Sequence, residues 1–93
     1  MTRNAVKLSP EDNVASALAP LTKGQTANIQ YHSDPIEQVT LIEDVPFGFK
    51  LAVRDIKSGE TILKYGMVMG VATRDIKAGE MVHVQNVQGA RAH

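Results

Sequence analysis

The chain has 93 residues, 43% of them hydrophobic, with no cysteine and with 10 basic and 10 acidic residues. This length suits one domain and leaves no room for a separate active-site domain. The absence of cysteine excludes disulfides, thiolate nucleophiles and zinc–thiolate sites. A formal net charge of zero and 4% aromatic residues argue against nucleic acid as the main partner, because its binding needs clustered positive charge and stacking surfaces. The same neutrality favours association with other chains or with further copies of this one.

The first nine residues predict either a flexible arm or an edge strand, since Val6 and Leu8 alternate around Lys7. They contain no apolar run of signal-peptide length. Nowhere does the sequence reach the roughly 20 apolar residues of a membrane span. We therefore expect a soluble, cytoplasmic protein with no membrane association.

The segment that follows is open to two interpretations. Ser9 and Pro10, followed by two acids, have the order of a helix start, which favours a short helical turn. The apolar residues between Asp12 and Leu18 fit a strand as well as a helix, so periodicity does not choose between them.

Several later runs predict strands. Residues 25–32 and 38–42 alternate between apolar and polar side chains, and together they predict a β-hairpin. Residues 50–53 and 67–72 are almost continuously apolar, which is typical of strands covered on both faces.

A nine-residue phrase occurs twice, at 52–60 and at 72–80, with an aspartate, an isoleucine and a glycine at fixed positions. Weaker echoes lie at 17–25 and 44–49. Each copy predicts a turn in which the aspartate starts the turn and the glycine adopts a positive φ before the next strand. We interpret the repeat as architecture, with strands joined by one reused turn.

The last predicted strand runs from Val82 to Asn86. Strict alternation would place His83 and Gln85 on one face, with Val82, Val84 and Asn86 on the other. Two polar side chains on one face can converge on a ligand, although any surface strand shows the same pattern.

Few side chains suggest chemistry. The sequence has no nucleophile elbow, no phosphate-binding glycine loop and no His-Glu-x-x-His motif. His32, His83 and His93 are too scattered to predict a metal triad, and His32 fits a solvated loop. Lys50 and Lys64 each follow an apolar run, where they either present ammonium groups to a carboxylate or serve as surface charges. The residues alone describe a small β-rich domain without a complete catalytic set.

Between Ile42 and Val87 the sequence contains three ordered strings. These are Ile-x-x-Val-Pro-x-Gly-x-Lys-x-Ala, then Asp-Ile-x-x-Gly-Glu, then Ile-x-Lys-Tyr-Gly-x-x-x-Gly-x-Ala-Thr-x-Asp-Ile-x-x-Gly-Glu-x-Val-His-Val. Their order closely resembles the small β-clip (SAF-type) domain of the altronate and galactarate dehydratase family. The resemblance implies one mainly β domain over residues 1–93, with short helical turns and a tail at 88–93. In that family the domain is either the amino-terminal part of a long dehydratase or a separate small subunit, and a chain ending at His93 is similar to the second arrangement.

The resemblance also implies lyase chemistry on a hydroxy acid, by loss of the proton beside the carboxylate and of water or sulfite from the adjacent carbon. It implies a large dehydratase or lyase subunit as partner, which would hold most of any divalent metal. The matching positions Lys50, Lys64, His83 and Asn86 are candidates for lining the substrate site, with His83 the candidate for a metal contact. No catalytic residue is assigned, because Phe49 and Gln85 stand where family members often have histidine.

Two other interpretations remain. One is a free-standing carbohydrate- or partner-binding β-clip module without catalysis, since a fold does not fix a function. The other is a degenerate regulatory paralogue, which the two missing histidines favour.

Overall fold

The computed structural model describes residues 2–89, which form strands and turns without any helix. Accordingly, this part of the chain has no helix long and apolar enough to cross a membrane. Its strands are β1 (Ala5–Val6), β2 (Val14–Ala17), β3 (Thr26–Gln30), β4 (Glu37–Thr40), β5 (Lys50–Ala52), β6 (Thr61–Lys64), β7 (Met67–Ala72), β8 (Met81–Val82) and β9 (Val87–Gly89). They build a six-stranded sheet in the order β4-β3-β1-β2-β5-β8 and a three-stranded sheet in the order β6-β7-β9. The predicted mainly β fold is confirmed.

The amino-terminal segment contributes an inner strand. β1 pairs antiparallel with β2 and parallel with β3. The Asn4 side chain fixes this position, because its Oδ1 accepts the Asn28 amide at 2.6 Å and its Nδ2 donates to the Thr26 carbonyl at 3.1 Å. At the other end, residues 88 and 89 of the expected tail belong to β9, and residues 90–93 lie outside the described residues.

The segment that was left open between helix and strand forms a strand, and so do the two alternating runs. Residues 14–17 form β2, while the amide of Asp12 closes a turn by donating to the Ser9 carbonyl at 3.1 Å. The hairpin predicted from the alternating runs is confirmed, since β3 and β4 pair antiparallel. Ala27 and Ile29 are buried on its inner face, as the alternation requires.

All four copies of the repeated phrase form the same turn. In each, the glycine is the third residue and has a φ of 82° to 87°. The fourth residue donates its amide to the carbonyl of the first at 2.9 to 3.0 Å. A positive φ at the third position is what a type II turn demands, so glycine is needed there. The four turns are Thr22–Gln25, Pro46–Phe49, Lys57–Glu60 and Lys77–Glu80.

The last two turns are joined by reciprocal hydrogen bonds. Ile56 and Ile76 exchange both backbone hydrogen bonds, at 2.8 and 2.7 Å. The Asp55 carboxylate accepts the amide of Ala78 and the Asp75 carboxylate accepts that of Ser58, both at 2.9 Å. Each aspartate therefore caps the opposite turn, and the expectation that it starts its own turn is wrong.

The first two turns pair in the same way but less completely. Leu21 and Val45 exchange backbone hydrogen bonds at 2.9 and 2.8 Å, and the Asp44 carboxylate accepts the Lys23 amide at 2.9 Å. Proline occupies position 20, where the other copies have an aspartate, so the reciprocal carboxylate bond is missing. The weaker sequence echo therefore has a direct structural counterpart.

Two hydrophobic clusters follow from this arrangement. One lies on the six-stranded sheet around Ile29, Leu41 and Leu51. The other includes Ile56 and Ile76, which the second pair of turns brings together, along with residues of both sheets. Its members are Val14, Ala52, Ile56, Ile62, Ala72, Ile76 and Val82. The paired turns thus hold the apolar junction between the sheets.

Two buried polar residues also attach the β6–β7 hairpin to the larger sheet. The Asp12 carboxylate accepts the amides of Tyr65 and Gly66, both at 2.8 Å. These turn residues have φ values of 57° and 73°, as in a two-residue type I′ hairpin. Asn13 donates to the Thr61 carbonyl and accepts the Leu63 amide, both at 2.9 Å. These bonds flank the β-bulge at which Met69 is the extra residue of β7 opposite Ile62 and Leu63.

The prediction that residues 67–72 are covered on both faces is wrong for their first half. Met67, Val68 and Met69 are 67%, 51% and 44% exposed. β9 pairs only with Gly70 to Ala72, so the preceding half of β7 has β6 as its strand partner.

Replacing Asp12 with alanine should lower the free energy of unfolding by about 2 to 4 kcal/mol, because three amides lose a charged acceptor in a buried place. Urea denaturation would measure the loss, and hydrogen exchange should show faster exchange at the Tyr65 and Gly66 amides. Asp34→Ala, in an exposed turn, is the control and should change stability little. Equal stability of the two variants would contradict this role of Asp12.

Candidate functional site

A cleft of about 250 Å³ opens where the edges of the two sheets meet. β5 and β8 supply one side from the larger sheet, while β6, β7 and β9 supply the other. Most of its lining side chains are apolar, and the polar exceptions are a lysine and a histidine. The lining residues are Lys50, Ile62, Met69, Val82, His83, Val84, Val87 and Gly89.

Lys50 is the charged group of this cleft. It begins β5, pairs with Val82 of β8, and is partly buried. Burial lowers the pKa of its ammonium below the ordinary 10.5, and the nearby positive charge of Lys64 lowers that pKa further. The ion pairs found among residues 2–89 are Lys7–Glu37, Arg54–Glu60 and Arg74–Glu80, so no carboxylate of the described chain neutralises Lys50.

Lys64 ends β6 just before the hairpin turn and lies close enough to Lys50 for its positive charge to lower the pKa of the Lys50 ammonium. Its Nζ sits 4.7 Å from the centroid of the Tyr65 ring, a cation–π contact. The two lysines that the sequence singled out therefore lie near each other, Lys50 in the lining of the cleft and Lys64 outside that lining.

His83 lines the same cleft from a turn, where the sequence predicted a strand. The strand predicted over residues 82–86 is wrong, since β8 ends at Val82 and the Asn86 amide donates to the His83 carbonyl at 3.0 Å in a tight turn. Val84 is accordingly 80% exposed although Val82 is fully buried. The His83 ring packs against Phe49, with 4.8 Å between centroids.

Asn86 is fully buried and makes this turn possible. Its Oδ1 accepts the His83 amide and its Nδ2 donates to the Met81 carbonyl, both at 2.9 Å. The amide also donates to Glu80 at 3.4 Å, and Glu80 pairs with Arg74 at 2.7 Å. Asn86 therefore positions the loop that carries His83, and its side chain is not among those lining the cleft.

The arrangement suits an anion with an apolar part. Two ammonium groups attract a carboxylate, and His83 can donate or accept a hydrogen bond beside it. The same donors do not suit a divalent cation, because one imidazole next to two ammonium groups is a repulsive and incomplete ligand set. Within residues 2–89, His, Asp and Glu side chains form no group of three that could hold a metal.

Two features of the site were missed from sequence. The role of Phe49 in supporting the His83 ring was missed, and an aromatic residue directly before Lys50 was the signal that could have found it. The apolar wall from β7 and β9 was missed because strands distant in sequence build it. His32, in contrast, lies in an exposed turn as expected.

The structure thus defines a small two-sheet β domain with an open, positively charged cleft at the sheet junction. Residues 3–90 match the family model of the altronate/galactarate dehydratase SAF domain. The chain belongs to this family.

Similar proteins include long dehydratases and a separate enzyme subunit. The chain is 40% identical over 83 residues to the altronate dehydratase of Escherichia coli K12 and 33% identical over 86 residues to that of Bacillus subtilis 168. These alignments cover 89% and 92% of this chain but 16% of each dehydratase. It is also 41% identical over 54 residues to the (2R)-sulfolactate sulfo-lyase subunit alpha of Chromohalobacter salexigens, over 58% of this chain and 57% of that subunit.

The lowered pKa of Lys50 has a consequence for stability that can be measured. The folded chain holds this proton less tightly than the unfolded chain, so the contribution of Lys50 to stability increases as pH rises from its folded pKa towards 10.5. Lys50→Met should therefore raise the melting temperature near neutral pH and remove that pH dependence, whereas Lys23→Met in an exposed turn should do neither. An NMR titration of the Lys50 side chain giving an ordinary lysine pKa would contradict the electrostatic picture.

Proposed function

We propose that this chain is the small, non-autonomous part of a sugar-acid dehydratase, or of a related carbon–oxygen or carbon–sulfur lyase, that acts on a hydroxy acid in the cytoplasm. The observation that carries the proposal is the match over residues 3–90 to the altronate/galactarate dehydratase SAF domain. The cleft supports it independently, because Lys50 in its lining and the nearby Lys64 supply positive charge, and His83 supplies a hydrogen-bonding group, where a carboxylate substrate could be held.

Only part of the chemistry would come from this chain. Elimination from a hydroxy acid requires a base for the proton beside the carboxylate, stabilisation of the resulting enediolate and an acid for the leaving group. In our proposal Lys50 pairs with the substrate carboxylate, Lys64 strengthens the local positive potential and His83 hydrogen-bonds to the substrate. These contacts also favour the more negative enediolate over the substrate.

A large dehydratase or lyase polypeptide would supply the remaining groups. The chain spans about one sixth of the length of the altronate dehydratases it matches, and the sulfolactate relatives carry the name of a subunit. We place any divalent metal of the reaction on that polypeptide, since the Lys50–Lys64–His83 set repels cations.

The second candidate is a sugar-acid-binding module without catalysis. It is favoured by the fact that residues 2–89 form the cleft by themselves. Calorimetry with altronate, galactarate and sulfolactate on the isolated chain separates the two, because a module should bind one of them without any partner. The subunit proposal instead expects turnover of one of these acids only when both polypeptides are present.

In the assembled enzyme, Lys50→Met should lower kcat/KM by about 10- to 100-fold, the equivalent of losing one charge-assisted hydrogen bond to the substrate. Steady-state kinetics would measure the effect, with Lys23→Met as the control for loss of a lysine elsewhere. An unchanged kcat/KM in the Lys50 variant would remove this lysine from the substrate site.

His83→Ala should also lower activity of the assembled enzyme, while leaving the fold intact because the His83 side chain is exposed. Circular dichroism and the melting temperature would verify the fold, and a kcat/KM equal to that of the unmodified enzyme would exclude His83 from the site.

Asn86→Ala is the informative contrast. It should instead destabilise the chain, by about 1 to 3 kcal/mol, because it leaves buried polar groups unpaired.

A further inference from the structure

A group of exposed apolar side chains includes part of the cleft lining and the neighbouring half of the β6–β7 hairpin. We call Tyr65, Met67, Val68, Met69 and Val84 the hairpin face; their exposures range from 44% to 80%. Met69 and Val84 come from different loops or strands, yet both line the cleft, so the face and the cleft adjoin. Soluble monomers rarely expose apolar side chains in such groups, and exposed patches of this kind often mark interaction sites.

The hairpin that carries this face is anchored to the body at its turn and at its base, while the first half of β7 stays exposed. The Asp12 carboxylate fixes its turn through the Tyr65 and Gly66 amides, and Asn13 fixes its base. The β7 residues Met67 and Val68 are neighbours that point to opposite faces of the strand, and both are exposed. A firmly anchored strand segment that is apolar and exposed on both faces is suited to contact a partner.

The described chain also ends at this place. β9 lies beside β7, and Gly89, which pairs with Gly70, lines the cleft. Gly70 permits this pairing, because a Cβ at this position would collide with the Gln88 carbonyl oxygen. In the altronate dehydratases the matched segment is 16% of the protein and belongs to its amino-terminal part, so most of the polypeptide must follow it. If their matched segment folds as this one does, the rest of those polypeptides begins beside the strand equivalent to β9, next to the hairpin face.

The unpaired positive charges beside the hairpin face also favour a large polypeptide over a second copy of this chain as its partner. Lys50 and Lys64 stand beside this face without a carboxylate partner among residues 2–89. A surface that covers an unbalanced pair of ammonium groups must carry acidic groups or enclose an anion, since burying unpaired charge is costly. A second copy of this chain would instead bring two more lysines to the contact if it used the same face, as an isologous dimer does.

We propose that the hairpin face is the docking surface for the large dehydratase-family polypeptide, and that docking closes the cleft over Lys50 and His83. This inference rests on the proposed function, since it names the surface through which that subunit would act. The occupant is expected to present an apolar groove for Met67 and Val68, with acidic groups or bound substrate opposite the two lysines.

The test compares variants of the full chain against the large dehydratase-family polypeptide of its own cells, purified separately. Met67→Glu and Val68→Glu should each weaken binding by at least 100-fold in biolayer interferometry. Both side chains are exposed, and residue 67 pairs with Lys64, so a glutamate at 67 is compatible with the hairpin. Phe47→Glu is the matched control, because Phe47 is 65% exposed in a turn that does not line the cleft, and it should change affinity less than threefold.

The outcomes separate the two proposals. If the unmodified chain does not bind the large polypeptide, the proposed function fails and the docking assignment fails with it. If it binds and the two hairpin variants bind equally well, the docking surface is overturned while the proposed function stands. A self-associating chain whose dimer is broken by Met67→Glu, with binding of the large polypeptide unchanged, would assign the face to a second copy and would also overturn the proposal.

Discussion

The reciprocal pairing of the type II turns is the constraint on which the structure depends. A turn of this kind leaves backbone amides without partners, and here the aspartate of the opposite turn accepts them. The same pairing brings Ile56 and Ile76 into contact at the centre of the apolar junction between the sheets. Because the chain pairs its turns twice, once with two carboxylate bonds and once with one, it can form two sheets without a disulfide and without a helix among residues 2–89. The cleft exists because the second pair of turns sets where the two sheet edges meet.

Local features of the fold could be predicted from sequence, and long-range ones could not. The repeated glycine turns and the β3–β4 hairpin depend on residues within a few positions of each other, so their patterns were sufficient. The exposure of Met67 to Met69 was missed because an apolar run does not reveal whether another strand covers it. The turn at 83–86 was missed because a buried asparagine side chain replaces strand pairing there, and alternation cannot register such competition.

The candidate site shows the same difference between features that could be predicted from sequence and features that could not. Lys50, Lys64 and His83 could be singled out from residues and resemblance, and the structure gathers them, but Asn86 is a buried support for the loop. Holding Lys50 partly buried beside a second ammonium is unfavourable for the isolated domain, as its lowered pKa shows. Such a cost is understandable where a bound carboxylate relieves it. In our proposal this charged, apolar-walled and open cleft is one part of a site shared with a larger polypeptide.

The central claim is that this chain acts as the small part of a larger lyase, and native mass spectrometry of the tagged chain isolated from its own cells tests it most directly. We predict a complex of fixed stoichiometry with a large polypeptide, whose peptides identify it as a member of the altronate/galactarate dehydratase family. Recovery of the chain alone, as a monomer or as a complex of its own copies, would contradict the claim and favour the sugar-acid-binding module.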